Sequence, residues 1–183
     1  MRPAVFLDRD GVINEYNSDY VRTVDDFAYV PQAATAFQTL GRLGYPIVVV
    51  TNQSGIGRGY TTAATVGEIH QRLIDDARAW GATIVSVEHC PHTPDDRCAC
   101  RKPELAMLER AAAAHDLTFD GSFMVGDSPC DLELAHRAGL IGVRVATGRG
   151  AEPLPEGVTA AAEVADFGAA AEWIVSAVRA ASP

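Results

Sequence analysis

The stretch from Val5 to Asn14, Val-Phe-Leu-Asp-Arg-Asp-Gly-Val-Ile-Asn, constrains this chain more than any other. An apolar run, Ala4 to Leu7, ends in two carboxylates one residue apart, Asp8 and Asp10, and Gly11 lets the backbone turn. The run reads as a buried strand whose carboxyl end presents acids, the place where open α/β sheets keep their chemistry. Residues i and i+2 of a strand share a face, so Asp8 and Asp10 would sit near one point. Two anions that close stay ionised only with a cation between them, and Mg²⁺, a hard ion that prefers oxygen ligands, suits the place. A surface turn has the same composition, since Asp and Gly are common turn formers.

The strand-then-cluster pattern recurs along the chain. Pro46 to Val50 is a second apolar run, and it enters Thr51-Asn52-Gln53-Ser54-Gly55-Ile56-Gly57-Arg58-Gly59. Such a loop can offer backbone N–H groups and a hydroxyl to phosphate, or it can be a plain flexible connection. Thr83–Glu88, Ser122–Val125 and Gly142–Ala146 are further strand candidates, the second of them ending in Gly126-Asp127-Ser128-Pro129-Cys130-Asp131. Helical periodicity fills the intervals. It places Ala34, Phe37 and Leu40 on one face after Pro31; Val66, Ile69, Leu73, Ala77 and Trp80 on the next; Leu105, Leu108 and Ala112 on a third; Leu132, Ala135 and Ala138 on a fourth; and Trp173, Ile174 and Val178 in a closing helix. Glu15 to Val30 is irregular and reads as a small flap over the first strand end. This alternation predicts parallel βαβ units: an α/β chain forming a single doubly wound, Rossmann-like domain over residues 1–183.

Composition supports that size and narrows the partners. Of 183 residues, 48% are hydrophobic and 21% charged, which suits one domain with a full core. A net charge of −9 argues against a nucleic-acid partner, which would want a basic face. With no signal peptide and no long apolar span, a cytoplasmic protein that makes no membrane contact is expected.

In a parallel sheet the carboxyl ends of all strands share one edge. Four polar clusters therefore meet: Asp8 and Asp10, Thr51 and Asn52, Arg101 and Lys102, Asp127 and Asp131. Carboxylates for a metal, with a hydroxyl and a lysine for phosphate, describe a phosphoryl-transfer site. These residues resemble the haloacid dehalogenase superfamily of phosphatases, whose pattern is Asp-x-Asp, then Thr or Ser, then Lys, then Gly-Asp with a following acid. The resemblance implies a strand order of 5-4-1-2-3. It implies Asp8 as nucleophile, Asp10 as acid and then base, and Thr51, Asn52 and Lys102 on the transferring oxygens. Mg²⁺ would sit between Asp8, the Asp10 backbone carbonyl and Asp127, with Asp131 in support, ordering Lys102 or a metal-bound water.

Cys90-x-His92-x5-Cys98-x-Cys100 supplies three thiolates and one imidazole within residues 89–101, enough for a closed tetrahedral Zn²⁺ site. A closed site is structural, and its task would be to stiffen the loop that carries Arg101 and Lys102. His89 is the rival ligand, unmetallated thiols are the alternative, and Cys130 stands apart.

The segments after the first and third strands are too short for a large inserted cap, so the expected site is capless and open. A zinc loop running into Cys-x-Cys-Arg-Lys-Pro resembles one branch, the D-glycero-D-manno-heptose 1,7-bisphosphate phosphatases and the related histidinol-phosphate phosphatases. The loop from Thr51 to Gly59 is similar to that of the heptose enzymes, and Asp19-Tyr20-Val21 is similar to their flap, with Asp in place of Gly. A phosphorylated sugar is the implied substrate, a histidinol phosphate or other sugar phosphate the alternative, and a monomer the implied state. Tyr20, Asn52, Gln53, Ser54, Arg58 and Arg101 are the expected substrate contacts, with Arg149 a weaker candidate for a second phosphate.

Overall fold

The computed structural model describes residues 1–181. Six parallel strands form one sheet: β1 Val5–Leu7, β2 Ile47–Asn52, β3 Ile84–Cys90, β4 Phe123–Gly126, β5 Ile141–Val145 and β6 Ala162–Val164, in the order β3-β2-β1-β4-β5-β6. The chain runs outward from β1 to β3, then crosses to β4 on the other side of β1. The strand order thus reverses beside β1, and a crevice opens at its carboxyl end.

Side-chain alternation builds two cores from the same strands. Val5, Leu7, Ile47 and Val49 face one side, with Phe37 and Leu40 of α1 (Ala33–Leu43), Leu73 and Ala77 of α3 (Ala63–Ala79), and Phe167 and Ile174 of α6 (Phe167–Ala181). Ala4, Phe6, Val48 and Val50 face the other, with Met107 and Leu108 of α4 (Ala106–His115) and Leu134 of α5 (Pro129–Ala138). Continuous apolar runs suit strands covered on both faces.

Local chemistry sets the helix ends. The Thr62 hydroxyl accepts from the Thr65 N–H at 3.1 Å and starts α3. Gly44 and Gly139 close α1 and α5 with left-handed backbones, φ 77° and 70°. Ser128 and Asp131 form a reciprocal capping box at the start of α5.

The structure departs from the sequence reading in several places; the buried face of α4, for one, is Met107, Leu108 and Ala111, so Leu105 and Ala112 lie at its margin. The buried face of α1 is Ala33, Ala36, Phe37 and Leu40, so Ala34 lies at its margin. The buried face of α3 includes His70, an unexpected polar residue. Residues Ser54–Gly57 make one helical turn, α2, because the Arg58 N–H closes onto the Ser54 carbonyl at 3.0 Å. The short edge strand β6 carries no periodic signal and exists because β5 offers it a ladder, Val143 to Ala162 and Val145 to Val164. No helix of the described residues is long and apolar enough to cross a membrane.

Gly41 marks the closest approach of α1 to the turn after α3. A Cβ there would lie 2.1 Å from the Gly81 carbonyl oxygen, backbone against backbone, with nothing flexible to yield. Gly41→Ala is expected to cost about 2 kcal/mol or more. Heat denaturation would register that as a fall of about 4–8 °C in the midpoint.

Candidate active site

β1 delivers Asp8 to the crevice, β2 Thr51 and Asn52, and β4 Asp127, while the segment after β3 supplies Lys102. All five line one cavity of about 210 Å³, together with Asp10, Tyr20, Gln53, Ser54, Arg101, Ser128 and Arg149. Arg58 is not among the lining residues: it sits exposed at the end of α2. Arg149, from the loop after β5, faces the cavity instead.

Lys102 is the electrostatic centre. Its ammonium lies 2.7 Å from Asp8 Oδ1 and 2.7 Å from Asp131 Oδ1, and it donates to the Val50 carbonyl at 2.8 Å. Two ion pairs and one hydrogen bond thus enclose the ammonium. Burial opposes the charge on Lys102, but Asp131 and Asp8 outweigh it and raise its proton affinity. Asn52 clamps the same residue through its backbone: the Lys102 N–H donates to Asn52 Oδ1 at 3.0 Å, and Asn52 Nδ2 donates to the Lys102 carbonyl at 3.4 Å. Its side chain thus positions the lysine rather than facing outward.

The carboxylates outnumber the cation. Asp8, Asp127 and Asp131 are buried, with ligand oxygens all within 4.8 Å of one another, and Lys102 is the one ammonium among them. The surplus charge shows in their proton affinities. Burial and then Asp131 raise the Asp8 carboxyl well above the carboxylate range, against Lys102, and the same two causes push Asp127 up to about 7. Three of the six oxygens are fixed by hydrogen bonds. Asp8 Oδ1 accepts the Arg9 N–H, Asp127 Oδ2 accepts the Arg149 N–H, and Asp131 Oδ2 accepts from the Ser128 N–H and hydroxyl. With Asp131 Oδ1 on Lys102, only Asp8 Oδ2 and Asp127 Oδ1 lack a partner among the described residues. A divalent cation fits that pair in charge and in donor type.

Glycines make the arrangement possible. A Cβ on Gly11 (φ +85°) or Gly148 (φ +56°) would meet Asp127 Oδ2 at 2.2 or 2.0 Å, and one on Gly126 would meet Asp131 Cβ at 2.1 Å.

Asp10 stands slightly apart from the cluster. Arg9 and Asn14 donate to its Oδ1 at 2.9 and 3.0 Å, and Gln53 donates to Oδ2 at 2.7 Å. Burial raises its proton affinity, but the Arg9 charge and these hydrogen bonds outweigh burial and hold the carboxyl below its usual range. Gln53 also donates to the Thr51 hydroxyl at 2.9 Å, so one amide orients both groups.

The second cluster lies in the loop after β3. Cys90, Cys98 and Cys100 sulfurs are 3.2 to 3.5 Å apart, and His92 Nδ1 is 3.6 Å from Cys90 Sγ and 3.3 Å from Cys100 Sγ. Tetrahedral Zn²⁺ at ordinary bond lengths requires edges of about 3.8 Å between sulfurs and about 3.6 Å from sulfur to nitrogen. The four groups are thus set close to a closed tetrahedron. His89 points elsewhere, with its ring 5.4 Å from that of His70. The loop supports the crevice on two sides. The Gln53 and Gly57 N–H groups donate to the carbonyls of Cys90 and Pro91, and the Arg101 guanidinium donates to the His92 carbonyl at 3.3 Å. Cys130 lines the cavity, but burial pushes its thiol up to about 12, so it stays protonated.

Sequence reasoning missed Arg9, His70, Ser128 and the Arg149 amide. Only His70 left a signal, a polar residue at helical spacing between Val66 and Leu73. Backbone donors such as Arg149 N–H have no residue signature at all.

The acid cluster makes stability depend on pH and cation together. Carboxyls whose folded pKa lies above the unfolded value, about 4, contribute fully below that value. Their contribution is lost as pH rises through about 7, where Asp127 ionises. A divalent cation binds the ionised form and returns the loss. At a hundredfold excess over Kd the thermal midpoint should rise by about 5–10 °C at pH 8 and far less at pH 5.5. Equal gains in calorimetry at both pH values would place the cation elsewhere.

Comparison with known proteins agrees with this geometry. A family model described as HAD-hydrolase-like matches residues 99–181. The D-glycero-beta-D-manno-heptose-1,7-bisphosphate 7-phosphatase of Pseudomonas aeruginosa is 40% identical over 85% of this chain and 90% of its own. The protein of the same name from Pseudomonas putida is 41% identical over 84% and 88%. The crystal structure of D,D-heptose 1,7-bisphosphate phosphatase from Bordetella bronchiseptica, complexed with magnesium and phosphate, superposes with a TM-score of 0.85 at 35% identity, covering 97% of this chain and 99% of that one. With a buried acid at the end of β1, a buried lysine and a pair of acids after β4 in a matching fold, the chain belongs to the haloacid dehalogenase-like phosphatases, phosphoric monoester hydrolases, in the branch of the heptose bisphosphate enzymes.

Proposed function

We propose that this chain removes the 7-phosphate of D-glycero-D-manno-heptose 1,7-bisphosphate, in the synthesis of nucleotide-activated heptose. The observation that carries the reading is the buried pair of Asp8 and Lys102 beside two further carboxylates, in a fold shared with enzymes named for that reaction. We carry over the β anomer from the names of the two Pseudomonas relatives. We further read the chain as one catalytic domain, monomeric and cytoplasmic, where its free thiols stay reduced.

Chemistry follows from the groups at the crevice. Asp8 attacks phosphorus through one carboxylate oxygen while the other faces the cation; the bond from phosphorus to the sugar oxygen breaks, and an aspartyl-phosphate forms. Asp10 gives its proton to the leaving oxygen. It then takes a proton from the water that attacks phosphorus and releases Asp8 and inorganic phosphate. Its depressed proton affinity suits the second role, and the arriving phosphate, a further anion, pushes it back toward the acid form for the first. Asp8, Asp127 and the Asp10 backbone carbonyl would hold Mg²⁺, which would supply the positive charge that lets an anionic nucleophile approach an anionic phosphate. Lys102, Thr51 and the Asn52 backbone amide hold the transferring oxygens, Lys102 by exchanging one of its present contacts. Asp131 keeps that ammonium in place, and Tyr20, Gln53 and Ser54 line the sugar's path. Arg101 is the cation we assign to the second phosphate, since Arg58 lies outside the cavity.

Zn²⁺ in the Cys90, His92, Cys98 and Cys100 tetrahedron would have no open position and so a structural task. It would fix the carbonyls that hold Gln53, Gly57 and Arg101. Removing it with a strong chelator is expected to release one zinc per chain and lower the thermal midpoint. Activity should fall through KM for the sugar more than through the basal Mg²⁺ affinity. Metal analysis that finds no zinc in freshly purified protein would overturn this assignment.

Substrate preference separates the two branches. Phosphate release with Mg²⁺ should give a kcat/KM for heptose 1,7-bisphosphate about a hundredfold above that for histidinol phosphate, some 2.7 kcal/mol of differential transition-state binding. A ratio near one would instead make this a histidinol-phosphate or broad sugar-phosphate phosphatase. Asp8→Asn should lose essentially all turnover of either substrate; retained activity would remove the chain from covalent catalysis altogether.

A further inference from the structure

Directly behind Asp10 lies a cation that the mechanism above leaves without a task. Arg9 separates the two catalytic acids in sequence, and its side chain is 1% exposed. It does not reach the phosphate cluster: its ion pair is with Asp10, from Nη2 to Oδ1 at 2.9 Å. On its other side Nη1 lies 3.3 Å from His70 Nε2, on the buried face of α3. Guanidinium nitrogens only donate, so His70 Nε2 is the acceptor and the imidazole carries its proton on Nδ1. Burial, and then the Arg9 charge itself, keep that imidazole neutral, with a pKa lowered to about 3. The Phe27 ring, from the flap, lies under the same guanidinium at 5.7 Å. Nε has no partner among the described residues. One buried charge is thus held from three directions, and among the described residues Asp10 is the only carboxylate that it pairs with.

Geometry gives that arrangement a purpose. Asp10 lies beyond the end of β1 and makes only an isolated bridge to Asn14, so no strand ladder fixes its side chain. Arg9 and Asn14 pin Oδ1, which leaves Oδ2 to face the cavity beside Gln53. Of the two donors on Oδ1, the guanidinium is charged and the amide is not, so Arg9 makes the stronger bond. A proton donor must stand within about 2.6–3.2 Å of the oxygen it protonates, and a misplacement of about 1 Å can cost roughly a hundredfold. We propose that Arg9, clamped by His70 of α3 and Phe27 of the flap, is a positioning residue that aims the Asp10 carboxyl at the leaving-group oxygen. The proposal rests on Asp10 being the general acid.

His70 is the point of attack, because it touches neither substrate nor acid. His70→Leu removes the acceptor; His70→Gln restores one through its side-chain carbonyl. Single-turnover release of the leaving group separates the first step from hydrolysis of the intermediate. With heptose bisphosphate, whose alkoxide needs a proton, His70→Leu should slow that release about 10–100-fold. With p-nitrophenyl phosphate, whose phenolate leaves without one, the change should stay under about threefold. His70→Gln should recover the heptose rate to within about threefold, with KM little altered in either variant. Equal losses on the two substrates, or no loss in a folded variant, would overturn the assignment. His70→Asn, polar but too short to reach Arg9, replaces His70→Leu if the latter does not fold, as judged by its thermal midpoint. Asp10→Asn serves as the reference. If it too slows both substrates alike, the general-acid reading of Asp10 fails. If it is selective and the His70 variants are not, only the positioning role fails.

Discussion

An ammonium buried between two carboxylates holds this molecule's working edge together. Lys102 bridges Asp8 from β1 and Asp131 from α5 at 2.7 Å each, and its third proton goes to the end of β2. Burying a charge costs several kcal/mol unless partners repay it. Here the partners come from three different elements, so the cost is met only when those elements are assembled. The lysine thereby ties Asp8, Asp131 and β2 into one unit, and its own backbone is held by Asn52. Removing Lys102 would leave both carboxylates without their counter-charge.

The same concentration of charge explains why the cluster is reactive. Lys102 cannot balance three buried acids, and the excess appears as raised proton affinity on Asp8 and Asp127. Backbone N–H groups and Ser128 fix the remaining oxygens, leaving one on each of those two acids without a partner. Strain of this electrostatic kind is common where a site is arranged for a ligand that carries the missing charge. Asp10, by contrast, is surrounded by donors and held low. Two carboxylates two residues apart therefore have opposite environments, a contrast that suits the separate roles proposed for them in attack and in proton transfer.

Much of this was legible in the residues. The β-branched runs, their spacing and the helix caps specify a parallel α/β sheet, because burial on both faces demands apolar runs and short crossovers demand helices. Asp8, Asp10, Thr51 and Asp127 stand at or just past strand ends in the sequence and converge in space for that reason, while Lys102 reaches the same crevice from the loop after β3. The cysteine spacing likewise announces its tetrahedron. Arg58 shows where such reading stops. It sits in a loop that the pattern assigns to substrate, yet a turn of helix carries it away from the cavity. Arg149, 91 positions further on, lines the cavity beside Arg101. The edge strand β6 was equally hidden, since Ala-Glu-Val is a strand only when β5 is beside it.

The sequence by itself determined the order of the strands' chemistry and the identity of the reactive groups, because local periodicity and residue type are properties of neighbours along the chain. The tertiary structure alone decided which oxygen of each acid stays free and which arginine faces the cavity. It also decided that His70 and Phe27 enclose the cation behind Asp10. Those outcomes depend on distances between residues far apart in the chain, and a pair such as Arg9 and His70 acquires its meaning only when two elements are brought within 3.3 Å.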